Sequence, residues 1–211
     1  GCNQACLDHI FEKKLASCLV NPRACHETEL IIAPTKTCKK IAVVGAGPAG
    51  LAAATTAASR GHKVTLFEAS DKIGGQFNIA KEVPGKEEFN ETIRYFNKQL
   101  ALTGVELKLN TRATKECLTQ FDEVILATGI TPRTPDIPGI ESDKVLSYLA
   151  VLKEKKHLGK RVAIIGAGGI GFDVAEYLAH QGKSPSLSIS AYMKEWGVDL
   201  SAATPGGLIN P

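Results

Sequence analysis

The chain has few aromatic residues, little net charge and no long apolar run. Phe, Trp and Tyr make up 6% of its 211 residues, and 25 basic against 22 acidic residues leave a formal charge of +3. That balance argues against a nucleic-acid-binding surface. The longest apolar runs, 41–50 and 162–168, are far shorter than the ~18 residues that a membrane span requires. We therefore expect no nucleic-acid partner and no membrane partner.

The start of the sequence lacks a Met and lacks a secretory signal. Its first residues, Gly1-Cys2-Asn3-Gln4, do not show the basic-then-apolar pattern of a signal peptide. We therefore expect an internal or C-terminal fragment of a cytoplasmic protein, in which a disulfide framework is not favoured. Five of the six cysteines nevertheless fall within residues 1–38. Such crowding indicates metal or redox chemistry.

Strand and helix patterns alternate from residue 39 onward. This alternation predicts an α/β fold with Rossmann-like parallel-sheet dinucleotide-binding domains, both incomplete. We expect a Cys-rich iron–sulfur segment at 1–38, the first part of an FAD-binding domain at 39–135 and the start of an NAD(P)H-binding domain at 136–211. The main expected strands are Ile41–Val44, Lys63–Phe67, Val105–Leu109, Glu123–Ala127 and Arg161–Ile165. The main expected helices are Ala49–Arg60, Lys86–Leu102 and Ile170–His180.

A glycine motif, G-A-G-P-A-G at 45–50, lies between an expected strand and an expected helix. Gly45 would permit the tight turn, Gly47 would let a pyrophosphate approach the backbone, and Gly50 would let helix and strand pack closely. Glu68 ends the next strand, where a carboxylate accepts hydrogen bonds from an adenosine ribose. Together these features predict a bound dinucleotide; a Gly-rich turn without a ligand is the alternative.

A second motif, G-A-G-G-I-G at 166–171, repeats this pattern. Gly166, Gly168 and Gly171 take the places of the first motif's three glycines. Two such motifs suggest two dinucleotides, as hydride transfer from nicotinamide to flavin requires. The sequence offers no clear acidic or basic residue on a following strand that would indicate whether NAD or NADP binds. Asp173 and Glu176 lie on the motif's own helix, and we interpret them as solvated or packing residues rather than ribose ligands.

Cys2, Cys6 and Cys18 are separated by three and then eleven residues. Thiolates at these spacings can converge on one iron–sulfur cluster, which prefers four cysteines. Cys25 is a possible fourth ligand, and zinc is the alternative metal. The five histidines are scattered and receive no catalytic role.

These motifs resemble those of bacterial NADPH-dependent 2,4-dienoyl-CoA reductases, which are iron–sulfur flavoproteins related to old yellow enzyme and trimethylamine dehydrogenase. The resemblance also rests on residues 74–78 (Gly-Gly-Gln-Phe-Asn), on Cys18-Leu19-Val20-Asn21-Pro22 and on a segment around Trp196. It implies that electrons pass from NADPH through FAD and a 4Fe–4S cluster to FMN in a barrel that lies outside this chain. There the double bonds of 2,4-dienoyl-CoA would be reduced in fatty acid oxidation.

The resemblance also assigns residues, none of them catalytic. Cys2, Cys6 and Cys18 would ligate the cluster, with a fourth cysteine upstream of Gly1. The cofactor-binding positions would be Gly45, Gly47, Ala49, Gly50, Glu68, Gly75, Gln76, Lys86, Ala113 and Gly129 for FAD, and Gly166, Gly168 and Gly171 for NADP(H).

Three other interpretations stay open at this stage. One is a relative of trimethylamine dehydrogenase or enoate reductase, and another is the small subunit of glutamate synthase. The third is a non-enzymatic FAD- or metal-binding module with a regulatory role.

Overall fold

Four parallel strands form the central sheet: Lys40–Val44 (β1), Lys63–Phe67 (β2), Glu106–Lys108 (β3) and Glu123–Leu126 (β4). The computed structural model describes residues 5–18, 20–201, 203 and 205–208. Within the sheet the order is β3-β2-β1-β4, so β1 pairs with both β2 and β4. The predicted Rossmann-like α/β fold with a parallel sheet is confirmed.

Helices connect and flank these strands. The helix between β1 and β2 starts at Pro48, a position where proline is favoured because the first helical N–H has no partner within the helix. The long helix before β3 ends at Gly104, whose left-handed backbone closes it through an N–H bond to the Leu100 carbonyl. In the described part of the chain the α-helices are Ala5–Phe11 (α1), Pro48–Ser59 (α2), Phe77–Ala80 (α3), Phe89–Thr103 (α4), Lys115–Leu118 (α5), Tyr148–Leu152 (α6), Gly169–Ala179 (α7) and Ile189–Glu195 (α8).

Among the described residues, buried apolar side chains form two clusters. The larger one lies between one face of the sheet and the helices α2 and α4. The smaller one joins α6 and α7 to the segment that follows α3. The buried members of the larger cluster are Ile41, Val43, Ala46, Leu51, Ala54, Val64, Leu66, Ile73, Leu100 and Val105, and those of the smaller are Ile79, Val83, Val151, Leu152 and Val174.

The predicted strand Arg161–Ile165 is wrong. Residues 161–167 form no strand and are exposed, although α7 follows them as predicted. A parallel strand exists only when neighbouring strands accept and donate its hydrogen bonds. The described residues provide no neighbour for this segment, so its β-branched composition alone does not make it a strand.

A membrane-crossing helix is also not found: within the described residues every helix is too short or too polar to cross a bilayer.

Candidate functional site

The first glycine turn connects β1 to α2. Gly45 has a φ of +103°, and a Cβ added there would lie 2.3 Å from the Ala127 carbonyl oxygen, at the end of β4. At Gly50 an added Cβ would lie 1.8 Å from the Gly45 carbonyl oxygen. Helix and turn are thus in direct backbone contact, as the sequence predicted. No side chain can replace a hydrogen at either position without moving the backbone.

A second loop lies over this turn. The Gly74 N–H donates to the Ala46 carbonyl at 2.8 Å, and a Cβ added to Gly75 would come within 2.9 Å of the Gly47 Cα. The backbones of two loops therefore meet at the N-terminus of α2, and no side chain caps that terminus at Gly47. Helix N-termini carry partial positive charge and N–H donors, which suit a phosphate group. A glycine-lined cradle of this kind fits a dinucleotide diphosphate.

Glu68 lies directly after β2, beside the first turn. Its Oε2 accepts from the Ala46 N–H and its Oε1 from the Ser70 N–H, both at 2.8 Å. Partial burial works to raise the pKa of Glu68, but these hydrogen bonds outweigh it and hold the pKa below its ordinary value. The carboxylate is therefore ionised and fixed at the edge of the cradle. This is the position predicted for a ribose acceptor.

The other predicted FAD positions lie outside the strands. Ala49 is exposed in the first turn of α2, and Gln76 is exposed directly before α3. Ala113 lies two residues after Thr111, and the Thr111 N–H donates to the Glu68 backbone carbonyl at 2.8 Å. Gly129 follows β4 with a φ of +75°.

Lys86 makes a contact that the sequence did not predict. Its Nζ lies 2.6 Å from Oδ1 and 2.7 Å from Oδ2 of Asp173, which is on α7. The sequence pattern predicts only a solvated or packing role for Asp173. No sequence signal would have paired it with Lys86, because 87 residues separate them.

The second glycine turn repeats the geometry of the first. Gly166 has a φ of +112°, and a Cβ added at Gly171 would lie 2.3 Å from the Gly166 carbonyl oxygen. Gly168 precedes α7 with no side-chain cap, as Gly47 precedes α2. An added Cβ at Gly168 meets nothing within 4 Å. The turn is thus open to solvent and fits a second dinucleotide diphosphate.

The cysteine prediction is only partly covered by the structure. Cys2 lies outside the described residues, while Cys6 and Cys18 are half-buried free thiols. A hydrogen bond from the Asn21 N–H at 3.4 Å lowers the pKa of Cys18. This favours the thiolate, which is the metal-binding form. Among the described residues, no three Cys, His, Asp or Glu side chains converge on a metal position.

Three known proteins illustrate what the chain resembles. It is 43% identical over 188 residues to a metal reductase of Desulforamulus reducens (strain ATCC BAA-1160 / DSM 100696 / MI-1), covering 86% of this chain and 28% of that protein. It is also 40% identical over 190 residues to a cinnamate reductase of Clostridium sporogenes (strain ATCC 7955 / DSM 767 / NBRC 16411 / NCIMB 8053 / NCTC 8594 / PA 3679). That match covers 89% of this chain and 28% of the cinnamate reductase.

The third is a solved structure, a 2-naphthoyl-CoA reductase in complex with 2-naphthoyl-CoA. It matches with a TM-score of 0.81 at 41% identity, over 86% of this chain and 28% of that one. The chain thus spans under a third of the length of the proteins that it resembles here.

A family model described as pyridine nucleotide-disulphide oxidoreductase matches residues 39–191, which include both glycine turns. Domains of this family bind FAD and NAD(P)H, in agreement with the two cradles. The chain belongs to the pyridine nucleotide-disulphide oxidoreductase family.

Proposed function

We propose that this chain is the electron-input segment of an NADPH-dependent flavoprotein reductase. The first cradle, with Glu68, binds FAD, and the second turn binds NADPH. Electrons leave through a 4Fe–4S cluster held by Cys2, Cys6 and Cys18 and reach FMN in a barrel domain elsewhere in the protein. There they reduce the conjugated double bonds of a 2,4-dienoyl-CoA thioester.

The repeated glycine turn carries this proposal. In both copies the last glycine packs against the carbonyl oxygen of the first, and a helix without a side-chain cap begins after Gly47 and after Gly168. A non-enzymatic flavin protein needs one such cradle. An enzyme that moves a hydride from nicotinamide to flavin needs two.

The relatives favour a substrate with a carbon–carbon double bond conjugated to a carboxylate or thioester. One is a cinnamate reductase and another was solved with 2-naphthoyl-CoA. Dienoyl-CoA belongs to the same chemical class. The segment around Trp196, closed by a bridge between Val198 and Leu208, supports the dienoyl-CoA choice because it resembles an insertion of those reductases.

The test is anaerobic mixing of the purified holoprotein with NADPH or NADH while flavin absorbance is recorded. We expect bleaching with NADPH, followed by reoxidation when a 2,4-dienoyl-CoA is added. Reoxidation by cinnamate alone would instead indicate an enoate reductase. Absence of bleaching by both nicotinamides, in protein that dithionite does reduce, would refute the oxidoreductase proposal.

A further inference from the structure

The connection between the two glycine turns includes a proline-rich segment that does not fix their relative orientation. Residues 131–139 contain three prolines, form neither helix nor strand and are mostly exposed. An exposed segment of this kind makes few contacts that would hold the two turns in one relative orientation. The relative position of the turns must therefore depend on contacts made elsewhere.

Among the described residues, one six-residue segment between α3 and α4, 82–87, makes several of these contacts. Lys86 contacts both carboxylate oxygens of Asp173 at 2.6 and 2.7 Å. At one end of the segment, Glu82 accepts from the Lys155 Nζ at 2.5 Å. At its other end, Glu87 accepts from the Ser186 hydroxyl at 2.7 Å. Three polar contacts thus join this segment to the part of the chain that carries the second turn.

The smaller apolar cluster lies beside these contacts. Val83 on the segment is 2% exposed and packs in the same cluster as Val174, which follows Asp173 on α7. Apolar burial stabilises the contact between segment 82–87 and α7, but it does not by itself fix one relative position of the two elements. Complementary charges at the edge of an apolar contact do select a register.

Of the three polar contacts, the Lys86–Asp173 pair lies closest in sequence to the second turn. Asp173 follows Gly171 by two residues, in the second turn's own helix. Lys86 belongs to the segment that follows α3, and α3 begins two residues after Gly75, whose backbone lies against the first turn. Of the other two contacts, Glu82 pairs with Lys155, which follows α6, and Glu87 accepts from Ser186, which follows α7. A shift of this one pair therefore displaces the second turn directly.

We propose that Lys86 and Asp173 are positioning residues that set the second glycine turn against the first. This inference rests on the proposed function, in which a hydride leaves the dihydronicotinamide and enters the oxidised flavin, giving NADP⁺ and two-electron-reduced flavin. The pair holds the donor at the distance at which that transfer occurs. Asp173 acts through Lys86 and touches neither cofactor.

The experiment compares wild type, Asp173→Asn and the charge swap Lys86→Asp/Asp173→Lys in the FAD-loaded holoprotein. Glu91→Gln is the matched control, because it removes a carboxylate from an exposed ion pair with Arg94 that lies within α4. Anaerobic stopped-flow mixing over a range of NADPH concentrations separates the limiting rate of flavin reduction from the NADPH dissociation constant. Amide hydrogen exchange of α7 and of 82–87 reports the contact independently of activity.

We expect Asp173→Asn to lower the limiting rate about tenfold to a hundredfold, because a displacement of about 1 Å from the reactive geometry can cost ~10²-fold. The NADPH dissociation constant and the retained FAD should not change. Hydrogen exchange should rise in α7 but not in the sheet. The charge swap should recover part of the rate, whereas Glu91→Gln should match wild type in every measurement.

An unchanged limiting rate in Asp173→Asn would overturn the inference. So would loss of FAD from the swap variant without loss of rate in Asp173→Asn, because Lys86 would then act on FAD directly. If wild type itself were not reduced by NADPH or NADH, the proposed function would fail and the positioning role with it. Normal wild-type reduction with an unaffected Asp173→Asn rate would overturn only the positioning role.

Discussion

Replacing Glu68 by Gln tests whether the carboxylate beside the first turn binds FAD or only organises the loop. The carboxylate accepts from two backbone N–H groups, those of Ala46 and Ser70. A Gln side chain keeps one acceptor oxygen and turns an NH₂ group toward the other donor. One backbone N–H then loses its partner, and the remaining bond loses its charge.

The structure sets the size of the effect. A hydrogen bond to a charged group contributes about 1.5–3 kcal/mol. Glu68 is only partly buried, so solvent screening brings the value to the lower end of that range. We expect Glu68→Gln to reduce the free energy of unfolding by about 2 kcal/mol. If the same carboxylate accepts a ribose hydroxyl, FAD affinity should fall about tenfold to a hundredfold as well.

The pH dependence gives an independent check. The folded-state pKa of Glu68 lies below its ordinary value of 4.5, so the group stabilises the fold fully above that value. Its contribution is lost as the pH falls through the folded-state pKa. The stability difference between wild type and Glu68→Gln should therefore be constant near neutral pH and shrink on acidification below 4.5.

The assays are urea unfolding of the apoprotein across pH and fluorescence titration with FAD. Glu123→Gln is a suitable control, because Glu123 is an exposed carboxylate at the opposite end of the sheet, paired with Lys39. A stability loss without any change in FAD affinity would limit Glu68 to a loop-organising role. No change in either measurement would refute the reasoning from the hydrogen bonds.

Three other substitutions test the turns and the cysteines. Gly50→Ala should lower the free energy of unfolding by about 3 kcal/mol or more and release FAD, because its Cβ would overlap the Gly45 carbonyl oxygen. Gly159→Ala is the control: its Cβ would meet no atom within 4 Å, so the melting temperature should not change. Gly168→Val should leave stability and the yellow colour unchanged but abolish reduction by NADPH while dithionite still reduces the flavin; normal NADPH reduction would make the second motif a packing turn. Cys18→Ser should lack the iron–sulfur cluster, whereas Cys25→Ser should retain it, as measured by iron and sulfide analysis and by EPR. The reverse result would show that the wrong cysteines were assigned to the cluster.

Local patterns predicted the first half of the chain well. The strand Lys63–Phe67 has the bounds that the sequence predicted, and the turn at 45–50 has the predicted backbone contacts. These features depend on residues close in sequence: β-branched side chains for the strand and glycines for the turn. The helix predicted from Lys86 begins only at Phe89, because the turn after Gly85 occupies the first positions.

Features that depend on distant residues could not be predicted. Arg161–Ile165 has strand composition, yet no described neighbour pairs with it. The Lys86–Asp173 pair likewise results from the way the two parts pack, and neither residue carries a signal of its partner. The sequence predicts a solvated or packing role for Asp173, and the structure specifies its partner, Lys86.

The glycine contact in the second turn bears on the order in which this region folds. It joins Gly166 to Gly171, only five positions apart, and it forms although residues 161–167 belong to no strand. Closing so short a loop has a small entropic penalty, so it does not wait for long-range pairing. During synthesis the second glycine turn can therefore close before long-range strand pairing is complete. A nascent chain stalled shortly after α7 should already protect the Gly171 amide region from exchange.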